Sequence, residues 1–204
     1  MIAFYNEWIL PWAINRIMGK AIFAAERARI VPKATGKVLE IGMGSGFNLP
    51  YYSPHVEHLF GLEPAEHLKQ KAIDKIPFVT FPVAWIGMTA EHIPLESQSM
   101  DTVISTWTLC TVPDVRRALS EIFRVLKPNG QFLFIEHGRS PDRTVQMVQN
   151  TLNPLWKKIG GGCHLNRPMD KLILNAGFRM ISCETGAMNG AGPLSFLFRG
   201  VAQR

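Results

Sequence analysis

The feature that most limits how this chain can fold is a series of five short apolar runs, each set apart from the next by a longer polar or helix-periodic stretch. They are Lys37–Ile41, His58–Glu63, Phe81–Met88, Met100–Trp107 and Gly130–Gly138. Continuous apolar runs of this length fit parallel strands covered on both faces, because a half-exposed strand would alternate apolar with polar residues. Between the fourth and fifth runs, Val115, Ala118, Leu119, Ile122 and Leu126 recur at helical spacing. Asp114 is placed to cap that helix, and Pro128-Asn129-Gly130 to stop it in a turn. Strands alternating with helices imply β-α-β crossovers, hence an α/β fold with a doubly wound, mostly parallel sheet. Phe178–Thr185 and Ser195–Gln203 read as two further strands joined by a glycine-rich connection. With 204 residues the chain suits one domain, read as a helical lid or anchor over 1–33 and a core over 34–204.

A doubly wound sheet binds ligands beyond the carboxyl ends of its strands. That places Glu40–Gly46, Glu63, Met88–Glu91, Ser105–Cys110 and Glu136–His137 around the site. The loop after the first strand carries Glu40, Gly42, Gly44 and Gly46 at alternate positions. It is not a Walker loop, which needs a Lys-Ser/Thr pair behind its glycines. A dinucleotide fingerprint needs a third small residue for close helix packing, and Phe47 stands there instead. An acid two residues before the first glycine would repel a pyrophosphate but suits a cationic amino group. Glu63 lies 21 positions beyond Gly42, at the end of the second strand. A carboxylate there can accept hydrogen bonds from ribose hydroxyls. A nucleoside without a diphosphate, carrying a cationic amino-acid tail, is S-adenosylmethionine.

Composition narrows the partners. A net charge of +6 could point to nucleic acid. The basic residues are scattered, however: Lys69, Lys71 and Lys75 alternate with polar positions, and Arg116 and Arg117 fall on the periodic helix. They read as solvated helix faces, and no nucleic-acid partner is expected. Cys110, Cys163 and Cys183 form no C-x-x-C pair and leave an odd count, so neither a metal site nor a disulfide framework is indicated. A reducing cytoplasm is the expected location. The first thirty residues are rich in large apolar side chains but lack the basic start and cleavage site of a secretory signal. They read as a buried helix or substrate lid. The alternative is an interfacial helix with Trp8, Trp12, Arg16 and Lys20 at a membrane surface, giving peripheral membrane contact.

The stretches 38–52 (VLEIGMGSGFNLPYY), 61–68 (GLEPAEHL), 90–105 (AEHIPLESQSMDTVIS) and 118–137 (ALSEIFRVLKPNGQFLFIEH) together resemble the class I S-adenosylmethionine-dependent methyltransferases. Within them the chain looks most like the group of ubiquinone/menaquinone C-methylases and methyltransferase-like thiol S-methyltransferases. The stretch 160–167 (GGGCHLNR) and the final strand are most similar to the thiol-methylating branch. The resemblance implies a seven-stranded Rossmann-like sheet with an antiparallel last strand. It implies that Glu40 helps hold the methionyl ammonium and that Gly42, Gly44 and Gly46 admit the cofactor backbone. Glu63 would bind the ribose, Ala90 and Glu91 would meet the adenine edge, and Pro64 and Leu109 would sandwich the ring. Thr106 belongs with this cofactor-binding set.

Methyl transfer from a sulfonium is an in-line displacement that neutralises charge, so alignment can supply ~7–11 kcal/mol of the barrier in the best cases. A base is needed only if the nucleophile arrives protonated, and His137 and His164 are the candidates. The [DN]-P-P-[YF] motif of amine-methylating nucleic-acid and protein enzymes does not follow the fourth strand. Asn153-Pro154-Leu155-Trp156 imitates it in the wrong place, after the fifth. Trp107 and Leu109, with Phe4, Tyr5, Trp8 and Trp12, predict an apolar, aromatic pocket, and Trp107, Cys163 and Trp8 are the substrate-binding candidates. The expected partner is a small lipophilic acceptor: a thiol, a quinone-like ring or a lipid amine. Rival readings are a phospholipid N-methyltransferase at the membrane surface, an RNA methyltransferase, and a non-catalytic S-adenosylmethionine-binding protein. Carbon, sulfur, nitrogen and oxygen acceptors all stay open.

Overall fold

The computed structural model describes residues 9–87, 89–188, 192 and 194–204. Seven strands, β1 (Gly36–Ile41), β2 (Val56–Leu62), β3 (Val83–Gly87), β4 (Met100–Thr106), β5 (Leu126–His137), β6 (Arg179–Ala187) and β7 (Phe196–Gln203), form one sheet in the order β3-β2-β1-β4-β5-β7-β6. β1 to β5 pair in parallel, while β7 runs antiparallel to both β5 and β6. The helices are α1 (Leu10–Met18), α2 (Ala21–Ile30), α3 (Glu66–Ile73), α4 (Val115–Val125), α5 (Arg143–Ile159) and α6 (Met169–Asn175).

The five parallel strands stand where the apolar runs put them, and the reason is visible in β5. Phe132 and Phe134 enter the apolar layer under α4 and α6, while Leu133 and Ile135 enter the layer under α2. Successive side chains of a strand point to opposite faces. A strand covered by helices on both sides therefore takes apolar residues at consecutive positions along its covered stretch, here Phe132–Ile135.

One boundary difference bears on the sheet. β5 begins four residues early, at Leu126, which pairs with Met100, so Pro128-Asn129-Gly130 is an irregularity inside the strand rather than a free turn. Asn129 takes φ +64 there, a left-handed conformation that asparagine tolerates. Asn153-Pro154-Leu155-Trp156, the segment that imitates the amine-methylating motif, is part of α5. α4 is capped as its sequence indicates, with the Asp114 side chain accepting from the Arg117 N–H at 3.0 Å.

The strand order reverses between β1 and β4. The carboxyl ends of these two strands open the crevice in which doubly wound sheets bind ligands. The glycine loop and the loop after β4 meet there: a Cβ on Gly42 would fall 2.3 Å from Thr108 Oγ1. No helix among the described residues is long and apolar enough to cross a membrane.

Candidate cofactor and acceptor site

A cavity of about 770 Å³ opens at this crevice. One end is lined by Glu40, Gly42, Gly44, Glu63, Pro64 and Thr106, and the other by Trp107, Leu152, Leu155, Trp156, Cys163 and His137. α1 roofs it with Leu10, Ala13, Ile14, Ile17 and Met18. The helix is moored at both ends. Leu10 packs so near Gly161 that a Cβ there would meet its Cδ2 at 2.9 Å, and the Met18 carbonyl accepts from Arg27 at 2.8 Å.

The two carboxylates at the first end are buried and held differently. Glu40 is 1% exposed; Asn48 Nδ2 donates to its Oε1 and the Tyr52 hydroxyl to its Oε2, both at 2.8 Å. Burial pushes its pKa from 4.5 to about 7, against the opposing pull of those donors and of Arg27. Arg27, 4% exposed, donates to Asn48 Oδ1 at 3.1 Å and lies over the Trp107 and Phe47 rings. Glu63 accepts from backbone, Gly44 N–H at 2.7 Å and Ala65 N–H at 2.8 Å. Burial raises its pKa and these two donors oppose the rise. Each carboxylate oxygen has room for two donors, so each keeps a lone pair for a ligand.

The three loop glycines, all at positive φ, serve different ends. A Cβ on Gly44 would meet nothing nearer than 3.9 Å, which leaves open cavity beside that backbone. One on Gly46 would meet Leu49 Cδ1 at 2.9 Å and Ala72 Cβ at 3.0 Å. Gly46 therefore packs the loop against α3 and lies outside the cavity lining.

Other expected site residues also fall elsewhere. Ala90, Glu91 and Leu109 do not line the cavity. Leu109 is fully buried in the core, and the Glu91 Oε1 accepts from the Asp114 N–H at the start of α4. His164 is outside as well; its N–H ties to the Cys110 carbonyl, and burial with the nearby charges of Arg167 and Lys157 lowers its pKa to about 4, leaving it neutral. Trp12 is 60% exposed on the outer side of α1, while Phe4, Tyr5 and Trp8 lie outside the described residues.

His137 lines the cavity, yet both ring nitrogens are engaged. Nε2 faces the Leu194 carbonyl at 2.5 Å, and a carbonyl only accepts, so Nε2 carries hydrogen. Nδ1 faces Cys163 Sγ at 3.5 Å. In this unliganded arrangement His137 therefore has both ring nitrogens engaged, and Cys163 lies between its Nδ1 and the cavity wall.

These positions can be set beside known proteins. A family model for a methyltransferase domain matches residues 39–134. A human thiol S-methyltransferase is 34% identical over 157 residues, which is 74% of this chain and 64% of that protein. A phosphatidylethanolamine N-methyltransferase of Cereibacter sphaeroides is 30% identical over 191 residues, covering 91% of this chain and 92% of the relative. The chain belongs to the class I S-adenosylmethionine-dependent methyltransferases. It spans less than two thirds of the length of the thiol S-methyltransferases it matches. The fold agrees with that of a solved S-adenosylmethionine-dependent methyltransferase from Thermotoga maritima, with TM-score 0.67 at 19% identity over 100% of this chain and 99% of the other.

The cofactor of this methyltransferase family is S-adenosylmethionine, and the residues present fit it. Two buried carboxylates with spare lone pairs face the cavity, one suited to an ammonium and one to ribose hydroxyls. The open side of Gly44 leaves room for close approach. Trp107 Nε1 is buried without a hydrogen-bond acceptor among the described residues, a donor left over for a ligand. Trp107 itself sits at φ +53, a strained conformation for an aromatic residue, of order 1–3 kcal/mol. Such strain persists only where its surroundings enforce it, and here its N–H bonds Ile135 O at 2.7 Å while its ring stands edge-on to Phe23.

What the sequence reading missed is the scaffold behind Trp107. Glu136 is fully buried and accepts from Ser105 Oγ at 2.6 Å and from the N–H groups of Thr108, Leu109 and Cys110 at 3.1–3.2 Å. It gathers the loop after β4 around one carboxylate. An acid at the end of an otherwise apolar strand was the available signal.

Proposed function

We propose that this chain transfers a methyl group from S-adenosylmethionine to a small lipophilic acceptor, a thiol for preference. The cofactor supplies a methyl group activated by its sulfonium charge. Glu40 and Glu63 hold the ammonium and ribose ends, and Trp107 with the α1 roof keeps water from the transfer path. The observation that carries the reading is the contrast across the cavity, charged and fixed at the glycine loop, apolar and aromatic at the other end.

The preference for a thiol rests on the base candidates among the described residues: His164 lies outside the cavity lining and His137 is engaged at both ring nitrogens. With both nitrogens of His137 occupied, an acceptor must ionise with little help, and a thiol with pKa near ~8.5 does so at neutral pH far more than an alcohol. The test is to incubate the chain with S-adenosylmethionine and, separately, an alkyl thiol, a demethylated quinol and phosphatidylethanolamine vesicles, reading products by mass spectrometry. A methyl thioether as the dominant product supports the reading; methylated lipid or quinol without thioether overturns it.

A second reading, a lipid amine, has its own support. Ile9 at the start of α1, Trp12 and Ile17 on α1, and Leu152, Leu155 and Trp156 on α5 are exposed beside the cavity, with Lys157 and Lys158 in the last turn of α5. An apolar rim edged by lysines suits an anionic membrane surface. The similarity to a phosphatidylethanolamine N-methyltransferase points the same way.

A further inference from the structure

Three chain segments bring Cys110, Cys163 and His137 together on one wall of the cavity. Cys110 lies on the loop after β4, Cys163 between α5 and α6, and His137 at the end of β5. Cys163 Sγ stands 3.6 Å from Cys110 Sγ and 3.5 Å from His137 Nδ1. The backbone on both sides is fixed. The Cys110 N–H bonds Glu136 Oε2 at 3.1 Å, the His164 N–H bonds the Cys110 carbonyl at 2.8 Å, and Arg167 donates to the carbonyls of Leu109 and Val112. These bonds hold the two cysteine loops side by side.

The two sulfurs are chemically unequal. Donation from Cys110, opposed by burial and supported by His137 and Trp156, holds the Cys163 thiol well below its usual range. The Cys163 sulfur, burial and the Glu136 carboxylate push Cys110 up, so it keeps its proton. Burial alone would lower the His137 pKa, but Cys163 and the Leu194 carbonyl outweigh it and raise it. A thiolate reachable from a cavity, beside a protonated thiol in near contact, is the arrangement of an attacking and a resolving cysteine.

We propose that Cys163 and Cys110 form a thiol–disulfide exchange site for small apolar disulfides that enter this cavity. The Cys163 thiolate attacks one sulfur of RS–SR; a Cys163–SR bond forms, the S–S bond breaks, and RS⁻ leaves. Cys110 then gives its proton to the departed thiolate and attacks Cys163 sulfur, closing a Cys110–Cys163 disulfide and expelling the second RS⁻. One disulfide is reduced by two electrons to RSH and RS⁻, and the cysteine pair is oxidised by two. The sulfurs must close by about 1.5 Å from 3.6 Å to bond length. The inference does not depend on the methyl acceptor, since nothing in the exchange uses the cofactor.

The test treats the reduced full chain at pH 6 with diethyl disulfide and maps cysteines by peptide mass spectrometry. Cys183, exposed at its surface and with its pKa pushed up by the partial desolvation of its thiol and by the Asp170 carboxylate, is the internal reference. The expected result is a cross-linked Cys110–Cys163 peptide, two hydrogens lighter and reversed by dithiothreitol, formed at least about tenfold faster than any Cys183 adduct. Cys110→Ser should stop the reaction at a mixed disulfide on Cys163. Labelling of Cys183 before Cys163, or a stable Cys163 adduct without cross-link in the unaltered chain, overturns the proposal. Because the readout is mass, it stands or falls apart from any methyl transfer.

Discussion

The two carboxylates at the glycine-loop end of the cavity already have their partners inside the chain. Asn48 and Tyr52 hold Glu40, and two backbone N–H groups hold Glu63. At the other end the walls are apolar side chains of α1 and α5, many of them exposed, and α1 begins without a side-chain cap. Preorganised polar groups keep one geometry because every alternative leaves a buried charge unsolvated. Apolar contacts are non-directional, so they accept a range of shapes. One end of the cavity is thus built for a fixed ligand and the other for variable ones.

The sharpest way to break this contrast is Glu63→Ala. Hydrogen bonds to a charged group contribute ~1.5–3 kcal/mol each, so losing those to the ribose should weaken S-adenosylmethionine binding more than about 100-fold by calorimetry. Thiol binding should hardly change. A pair of glycine substitutions separates ligand space from packing. Gly46→Ala, overpacked against Leu49 and Ala72, should lower stability by ~1–3 kcal/mol in denaturant titration. Gly44→Ala should weaken cofactor binding with the smaller stability loss, since its Cβ enters open space.

The third effect depends on pH. The Glu40 pKa in the unliganded fold is raised from 4.5 to about 7. The protonated acid therefore favours the fold at low pH, and that stability is lost as pH rises from about 4.5 through about 7. A bound ammonium favours the carboxylate instead. Cofactor affinity should rise from pH 5 to 7 by up to about tenfold per unit, with proton release, and level off above. Glu40→Gln should flatten that profile. The smallest effect belongs to the apolar rim: Trp12→Ser should reduce co-sedimentation with anionic vesicles by ~1 kcal/mol, about fivefold, and leave cofactor affinity unchanged.

How much of this was written in the sequence differs between the two ends. The parallel strands, the α4 cap at Asp114, the glycine loop after β1 and the place of Glu63 just beyond β2 were all legible, because each is a local pattern whose physical requirement falls within a few residues. Apolar runs specify covered strands, and an acid at a strand end specifies a place beyond the sheet. Two assignments depended on more than local pattern. Gly46 proved to be a packing glycine because α3, some twenty-six residues on, comes to lie against it. The strand β5 absorbed a Pro-Asn-Gly turn because Met100 offered Leu126 a partner.

The cysteine–histidine cluster was the least legible. Cys163 and His164 are neighbours in sequence, yet Cys163 meets His137, 26 residues away, and Cys110, 53 residues away. Sequence by itself determined the strands and helices and the place of the glycine loop after β1, since helix and strand periodicity are local patterns. Only the tertiary structure decided which side chains face one another at the acceptor end. There the contacts join loops whose conformations are set by Glu136 and Arg167, buried polar groups that must satisfy backbone partners far away in the chain.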